Sequence, residues 1–331
     1  MRLALIGAGR IGKVHAATIA GHPDITLAGV SDFHLPSAQA LAELHGSKAL
    51  SAESIFDDDS IDAILIASST PTHADYLERA ARAGKAVLCE KPIALDLPRT
   101  REALTVLASH PVVCALGFNR RHDPQFAALK QGIVDGRIGQ LETLAITSRD
   151  PSPPPAEYVA ASGGLFRDMT IHDFDMARWL LDEPIHFVHA EGSCLVDPAI
   201  GEAGDIDTAV ITLTTASGRL CQITNSRRAV YGYDQRIEAF GSLGMLQAQN
   251  ETDTRVRFTG EAGQVEEKPQ LFFLERYARA YQHELDNFYT SWRDGTAPMA
   301  GADDGLQALR LAEAAERSLR EGRRISMSDI D

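Results

Sequence analysis

The first third of the chain alternates short apolar runs with longer segments that are apolar on one side only. The apolar runs predict buried strands at residues 2–6, 25–31, 63–67, 86–89 and 112–117. Segments of helical periodicity follow them at residues 13–20, 37–44, 73–83 and 97–109. Strands and helices that alternate in this way are typical of a doubly wound parallel sheet.

Beyond residue 120 the pattern changes to period two. A helix is predicted at residues 124–132, and two more at residues 275–292 and 302–321. Six strands are predicted at residues 139–148, 186–195, 208–215, 219–226, 236–241 and 244–249, several of them with alternating apolar and polar positions. Such alternation indicates an antiparallel sheet with one buried face. We therefore expect two domains, at residues 1–120 and 121–331.

Composition narrows the class of protein. The chain has 331 residues, of which 44% are hydrophobic and 24% charged, as in a soluble globular enzyme. Its net charge of −14 argues against a general nucleic-acid partner, because phosphate binding needs a basic surface. We expect no membrane span and, since no leader precedes the first strand, a cytoplasmic protein. The four cysteines are far apart, which predicts buried reduced thiols.

A glycine motif, Gly7-x-Gly9-x-x-Gly12, lies between the first predicted strand and the first helix. In a dinucleotide-binding turn the first glycine permits the tight turn, the second lets the backbone approach a pyrophosphate, and the third allows helix–strand packing. The alternative is a glycine-rich turn without a ligand. The strand–helix–strand context favours the first interpretation, and Arg10 and Ile11 would then lie at the phosphates. The motif predicts an N-terminal Rossmann domain of the α/β class.

Asp32 ends the second predicted strand about twenty residues beyond the glycines. A carboxylate at this position can accept hydrogen bonds from the adenosine ribose hydroxyls and repels a 2′-phosphate. The predicted cofactor is therefore NAD rather than NADP.

Polar residues follow two further strands of the predicted parallel sheet, at the edge where such folds bind ligands. Ser69, Thr70 and His73 follow one strand, although Thr70 or Thr72 could instead cap the next helix and His73 could simply lie in its first turn. Glu90 and Lys91 follow another, and a cation there would stabilise an alkoxide that develops on a substrate hydroxyl. The alternative for Lys91 is a surface lysine paired with a neighbouring acid.

Asp168 and His172 are four residues apart in a segment with helical features. On a helix these positions share one face, so a carboxylate and an imidazole would point into the same space. A carboxylate beside an imidazole orients the ring and stabilises its protonated form, as a general base requires. The alternative is an ordinary helix start with His172 in the core.

Together these motifs resemble the glucose–fructose oxidoreductase and inositol dehydrogenase family over nearly the whole chain. The resemblance is carried by the glycine motif, Thr70-Pro71-Thr72-His73, Glu90-Lys91-Pro92 and the Asp168–His172 segment. Four further segments resemble inositol 2-dehydrogenases in particular, namely residues 148–151, 168–173, 204–209 and 231–236.

The resemblance implies an NAD-dependent dehydrogenase that oxidises a secondary hydroxyl of a polyol, with myo-inositol first among the substrates. It implies catalysis by Lys91, Asp168 and His172 without a metal, in a site between the domains. It further implies a C-terminal α+β domain that binds substrate through an open, mainly antiparallel sheet and assembles into dimers or tetramers. Four further substrate contacts are implied by position, namely Arg120, Asp150, Tyr231 and Tyr233.

Three other functions remain open from the sequence. The chain could oxidise another inositol isomer or a sugar. It could be an NAD-assisted glycosidase, which would show no net NADH. It could also be a regulator that binds NAD without turnover, although such a protein has no need of the Asp168–His172 pair.

Overall fold

Five parallel strands build the sheet of the first unit. In this computed structural model, which describes residues 1–330, they are β1 (Arg2–Ile6), β2 (Thr26–Ser31), β3 (Ala63–Ile66), β4 (Ala86–Cys89) and β5 (Cys114–Leu116). Their order in the sheet is β2–β1–β3–β4–β5. Nearly every strand residue is buried, as in a parallel sheet covered on both faces. The predicted doubly wound parallel sheet is confirmed.

Five helices connect or follow these strands. They are α1 (Arg10–Gly21), α2 (Leu35–Leu44), α3 (Ala52–Asp57), α4 (His73–Arg82) and α5 (Leu97–Ser109). The short helix α3 escaped prediction because six residues are too few to show a helical period. Helix α1 begins earlier than its apolar pattern suggests, at Arg10, directly after the glycine turn. Short 3₁₀ turns occupy Thr70–Thr72 and Asn119–His122.

The register of the strands places their carboxyl ends in one row. Ile6 pairs with Ser31 on one side and with Ile66 on the other. Ile66 pairs with Cys89, which in turn pairs with Leu116. The residues that follow these positions therefore leave the sheet from a single edge, which is the ligand-binding edge of this kind of fold.

The second unit is built on a seven-stranded sheet. Its principal strands are β6 (Leu141–Arg149), β7 (Ile185–Ser193), β8 (Thr208–Thr215), β9 (Leu220–Ser226), β10 (Asp234–Gly241) and β11 (Gly244–Ala248). A separate hairpin, β12 (Arg257–Gly260) and β13 (Gly263–Glu266), was not predicted, and the short β14 (Ile325–Ser326) completes the sheet. The sheet order is β11–β10–β6–β9–β8–β7–β14. All neighbours are antiparallel except β6 and β9, so the prediction of a mostly antiparallel sheet is confirmed.

The remaining helices belong to the second half of the chain. They are α6 (Pro124–Val134), α7 (Ala156–Ser162), α8 (Ile171–Leu181), α9 (Pro198–Glu202), α10 (Phe273–Arg276), α11 (Ala278–Asp294) and α12 (Ala302–Glu321). Neither α7 nor α9 was predicted. The proline run at residues 151–155 is irregular and leads directly into α7.

The chain returns to the first unit near its end. That unit comprises Met1–His122 and Ala280–Leu309, and the second unit contains Asp123–Arg279 and the residues from Arg310 onward. The sequence-based division placed the boundary between residues 120 and 121 and left residues 280–309 in the second domain. Leu285 and Phe288 of α11 explain the difference, because they join the apolar core around β1 and β3.

Two further observations concern the chain as a whole. Among the helices of residues 1–330, none combines the length and apolar character needed to cross a membrane. All four cysteines carry free thiols, but only Cys89 and Cys221 are fully buried, while Cys114 and Cys194 are partly exposed.

Candidate active site

The three glycines of the first turn are required for different reasons. Gly7 has φ +111°, and a Cβ there would lie 2.3 Å from the Ala67 carbonyl oxygen. A Cβ on Gly12 would lie 2.0 Å from the Gly7 carbonyl oxygen. Gly9 has φ −73° and open space around the position of its missing Cβ. The fold itself therefore needs Gly7 and Gly12, whereas only a ligand would need Gly9.

The start of α1 is suited to an anion. Gly9 is its N-cap and supplies no side-chain hydrogen bond, and the first turn contains no acidic residue. The exposed N-terminal N–H groups and the positive end of the helix dipole are then available to phosphates. Arg10 is exposed and Ile11 half-buried in this turn. The open cradle at Gly9 and the uncapped helix start fit the pyrophosphate of a dinucleotide.

Asp32 links the end of β2 to the glycine turn. One carboxylate oxygen accepts a hydrogen bond from the Ala8 N–H at 2.7 Å, and the other accepts one from the His34 N–H at 2.8 Å. The carboxylate is thereby fixed beside the turn. This position is the one that reads the adenosine ribose in dinucleotide-binding folds.

The residues after β3 contribute in different ways. Ser69 is exposed at the sheet edge and Thr70 is half-buried. Neither Ser69 nor Thr72 caps the helical turn that follows it, so the capping alternative is not what the structure shows. His73 is buried, and its ring nitrogens lie 2.8 Å from the Pro92 carbonyl oxygen and 3.0 Å from that of Ser68. His73 thus joins the two loops that follow β3 and β4.

Glu90 directly precedes Lys91 at the end of β4 and is held by a histidine that the sequence did not single out. Its Oε1 lies 2.8 Å from Nε2 of the buried His15 on α1. Burial raises the pKa of Glu90, but the bond to His15 and the charge of Lys91 outweigh it and leave the pKa lowered. A Cβ on Gly117 would lie 2.8 Å from Oε2 of this carboxylate, so a glycine is needed there.

A second carboxyl lies in the same unit, on α11. Glu284 is buried, and neither of its oxygens has a hydrogen-bond partner among the described residues. Burial, together with the charge of Glu90, raises the pKa of Glu284 well above its usual value. The sequence did not single out Glu284, because it lies far along the chain from Glu90.

In the second unit, a change of helix type precedes Asp168 and His172. Gly163 and Gly164 have φ +85° and +83°, and the chain then enters a π-helix at Phe166–Thr170 that continues as α8. The sequence predicted one regular helix here. Asp168 lies on the π-helical turn and His172 in the first turn of α8, so the two remain within one turn of each other. Short π-helical segments inside helices are frequent at functional sites.

The start of this helix is anchored from the sheet. The carboxylate of Asp205 accepts a hydrogen bond from the Leu165 N–H at 3.2 Å, and Gly164 leaves room for it. One turn later the Thr170 hydroxyl donates to Asn225 on β9, whose amide donates to Asp173 on α8. These bonds fix the helix against the ends of β8 and β9.

Both oxygens of the Asp168 carboxylate are engaged. The Tyr158 hydroxyl donates to Oδ1 at 2.9 Å, and two guanidinium nitrogens of Arg227 each lie 3.3 Å from Oδ2. His172 is half-buried rather than enclosed in the core. The structure thus carries an oriented carboxylate and a half-buried imidazole on one continuous helix. Neither Tyr158 nor Arg227 was predicted.

The strand ends of the second unit bring two sequence motifs together. Asp234 on β10 pairs in register with Arg149 on β6. The buried Asp234 carboxylate accepts a hydrogen bond from the Tyr231 hydroxyl at 2.6 Å, and further ones from Arg236 and Asn250. Burial raises the pKa of Asp234, yet these donors outweigh it and lower the pKa overall.

The structure distinguishes the two tyrosines. Tyr231 is 38% exposed, whereas Tyr233 is 6% exposed and packs edge-to-face on Tyr277 with ring centroids 5.9 Å apart. Of the other two predicted substrate residues, Asp150 is half-buried just beyond β6, and Arg120 is buried in a 3₁₀ turn of the first unit.

Metal ligands were not predicted. The described residues contain no group of three or more His, Cys, Asp or Glu side chains arranged to hold a metal ion.

The first unit has a doubly wound sheet with a glycine turn suited to phosphates, and the second has a helix that carries an aspartate and a histidine beside an open sheet. These features define a dinucleotide-dependent oxidoreductase. Family models agree with this class. Residues 1–118 match the oxidoreductase family with an NAD-binding Rossmann fold, and residues 126–247 match the GFO/IDH/MocA C-terminal domain. The chain belongs to the GFO/IDH/MocA family of oxidoreductases.

Similar proteins match this chain over its full length. Inositol 2-dehydrogenase of Rhizobium meliloti is 47% identical over 99% of both chains. Myo-inositol 2-dehydrogenase of Thermotoga maritima is 43% identical over 100% of this chain and 99% of that protein. The crystal structure of scyllo-inositol dehydrogenase from Lactobacillus casei with bound NAD(H) and scyllo-inositol is 29% identical, covers 99% of both chains and has a TM-score of 0.91.

The glycine geometry generates a test of the cofactor site. Gly9→Ala should leave the thermal stability of the free protein unchanged, because a methyl group there meets no neighbour. It should abolish the rise in Tm on addition of NAD, since the methyl would lie where the pyrophosphate approaches the backbone.

Gly12→Ala is the matched variant. It should destabilise the free protein by about 1–3 kcal/mol, because its methyl collides with the Gly7 carbonyl. Differential scanning fluorimetry with and without NAD measures both effects. An undiminished NAD response in Gly9→Ala would contradict the placement of the phosphates at this turn.

Proposed function

We propose that the chain oxidises a secondary hydroxyl of a polyol to a ketone with NAD as the acceptor, and that its substrate is myo-inositol, giving 2-keto-myo-inositol. The full-length relatives at 47% and 43% identity are named for this activity. The observation that carries the proposal is the Asp168 carboxylate, held by Tyr158 and Arg227 on the helix of His172. Such a pair serves proton transfer from a hydroxyl.

The proposed roles follow from the chemistry of each side chain. His172 takes the proton of the reacting hydroxyl, and Asp168 orients the ring and stabilises the imidazolium. The Lys91 ammonium stabilises the negative charge that develops on the hydroxyl oxygen. Bound NAD supplies the acceptor for the hydride.

For the binding of NAD we propose the residues that the sequence analysis predicted. The glycine turn with Arg10 and Ile11 would hold the pyrophosphate, and Asp32 the adenosine ribose. Around the nicotinamide ribose and ring we assign the residues that follow β3 and β4, namely Ser69, Thr70, Glu90 and Lys91. For His73 we propose that it shapes these loops, because both of its ring nitrogens lie against backbone carbonyls.

In addition to the catalytic residues, we assign Arg120, Asp150 and Tyr231 to the recognition of the ring hydroxyls. Tyr231 is favoured over Tyr233 because its hydroxyl lies in a partly exposed polar network, whereas Tyr233 packs on Tyr277. Burial and the bond to Asp234 raise the pKa of Tyr231, with Arg149 opposing them. Its hydroxyl therefore stays protonated. Because that proton is donated to Asp234, the Tyr231 oxygen would accept a hydrogen bond from a ring hydroxyl.

The second candidate substrate is scyllo-inositol, because the relatives include scyllo-inositol dehydrogenases. A reducing compartment such as the cytoplasm fits four cysteines with free thiols.

The first measurement is NADH formation by the purified protein with a panel of inositol isomers, glucose and xylose. We expect the highest kcat/KM with myo-inositol and NAD, and weak activity with NADP because of Asp32. A higher kcat/KM with scyllo-inositol would transfer the assignment to that isomer. Binding of NAD without NADH formation on any polyol would contradict a dehydrogenase and favour the glycosidase or the regulator.

The role of His172 is tested by replacement. His172→Ala should lower kcat by about 10²–10⁴-fold, the usual contribution of a positioned general base, while the NAD-induced rise in Tm persists. His186→Ala, the same substitution at an exposed position of β7, serves as the control and should keep full activity. Near-normal turnover in His172→Ala would exclude the histidine as the base.

We further propose that the chain forms a dimer or tetramer through the open face of the seven-stranded sheet. Alternate strand residues are exposed on this face, among them Val210, Leu220, Phe240 and Met245, each more than 40% exposed. A sheet face with several exposed large apolar residues is typical of an interaction surface.

Sedimentation velocity tests the assembly. The parent protein should sediment as a dimer or tetramer, and Val210→Lys should shift it towards the monomer because it introduces a charge into an apolar contact. Leu44→Lys, which changes an exposed leucine of α2, is the matched control and should not alter the mass. A monomeric parent protein, or an unchanged assembly in Val210→Lys, would refute the proposed surface.

A further inference from the structure

Arg227 is the largest fully buried side chain of the described residues, at 1% exposure. It follows β9, and its backbone N–H donates to the Asp207 carbonyl oxygen at 2.8 Å. A guanidinium does not lose its proton in proteins, so a buried arginine requires anionic neighbours. The identity of those neighbours therefore indicates what the residue does.

The anionic neighbours of Arg227 lie at the start of the Asp168–His172 helix. Two of its nitrogens lie 3.3 Å from Oδ2 of Asp168. Its positive charge also acts to lower the pKa of Asp205, although burial raises that pKa overall. The Asp205 carboxylate accepts a hydrogen bond from the Leu165 N–H at the beginning of the same helix. One buried cation thus serves both the carboxylate that anchors the helix and the carboxylate that we propose to orient the general base.

Other polar and charged groups also face Asp168. Tyr158 donates from α7 to Oδ1, and Asp205 contributes a negative charge from the loop before β8. On the helix itself, Asp173 is bound to Asn225. Arg227 is therefore the cation that these contacts bring to the Asp168 carboxylate from the sheet.

We propose that Arg227 is a positioning residue for the reaction: it fixes the orientation of the Asp168 carboxylate and offsets part of its negative charge, so that His172 remains a neutral base at working pH. This inference rests on the proposed function of Asp168 and His172. Without the cation, the negative charge of Asp168 would raise the proton affinity of the His172 imidazole. The cation therefore keeps the base available, while the fixed carboxylate still orients the ring.

The sign of the effect follows from the charges. Without Arg227, less positive and more uncompensated negative charge surrounds the pair, so its protonated form is favoured. Because oxidation requires the unprotonated base, the acid limb of kcat/KM should move to higher pH, and activity lost at low pH should return as the pH rises. A purely structural defect would lower activity at every pH alike.

The test uses Arg227→Gln, which removes the charge, and Arg227→Lys, which keeps it. Arg228→Gln removes the same charge from the exposed neighbouring residue and is the matched control. With myo-inositol and NAD, Arg227→Gln should move the acid limb of kcat/KM upward by about one pH unit, the lower end of the effect of a nearby charge. Arg227→Lys and Arg228→Gln should keep the limb of the parent protein.

A second readout does not depend on turnover. In protein labelled with ¹³C-histidine, the imidazole signal of His172 is identified by its absence in His172→Ala. Its titration midpoint should rise by about one pH unit in Arg227→Gln and stay at the parent value in Arg227→Lys. A folded Arg227→Gln with the parent midpoint overturns the inference. Should Arg227→Gln fail to fold, an upward shift of a full unit in the charge-keeping Arg227→Lys overturns it instead, and an unshifted midpoint supports it.

The two readouts separate the possible failures. If the parent protein oxidises no polyol, the proposed function fails, while the NMR titration still decides whether Arg227 controls the charge at His172. If the parent protein is active and His172→Ala is not, an unchanged midpoint in Arg227→Gln refutes the role of Arg227 alone.

Discussion

Strand register is the constraint on which the candidate residues of each unit depend. In the first unit it places the ends of five parallel strands in one row, so that Gly7, Asp32 and Glu90 leave the sheet at one edge. In the second unit β6 lies between β9 and β10, which sets Arg149 beside Ser226 and Asp234. A slip of one residue in any of these pairings would turn the side chains to the opposite face.

The second requirement is compensation of buried charge. Asp234 is fully buried but accepts hydrogen bonds from Tyr231, Arg236 and Asn250. Glu90 is bound to His15. The pKa of Glu284 is raised well above its usual value, because an ionised carboxylate there would be both desolvated and repelled by Glu90. Among these three carboxyl groups the pKa is lowered where hydrogen-bond donors offset the cost of desolvation, and raised where they do not.

The features that could be predicted from the sequence are those that residues close together in the chain determine. The glycine turn, the strand-end positions of Asp32 and Lys91 and the spacing of Asp168 and His172 all depend on residues close together in the chain. Arg227 and His15 escaped prediction because their partners are distant in sequence, and a single arginine or histidine in an amphipathic pattern carries no signal of its own. The placement of residues 280–309 was missed for the same reason. The π-helical turn depends on anchoring by Asp205 and Asn225 rather than on helix propensity.

In the proposed mechanism, the ion pair at Asp168 reconciles two opposing demands on the general base His172. A carboxylate beside His172 orients the ring and favours the imidazolium that forms when the base takes a proton. An uncompensated carboxylate would also favour the imidazolium before the reaction, when the base must be unprotonated. A cation on the carboxylate oxygen weakens the second effect without loss of orientation, because geometry depends on hydrogen bonds whereas proton affinity depends on net charge. Arg227 is buried and permanently charged, so it meets this requirement at every pH at which the protein is folded.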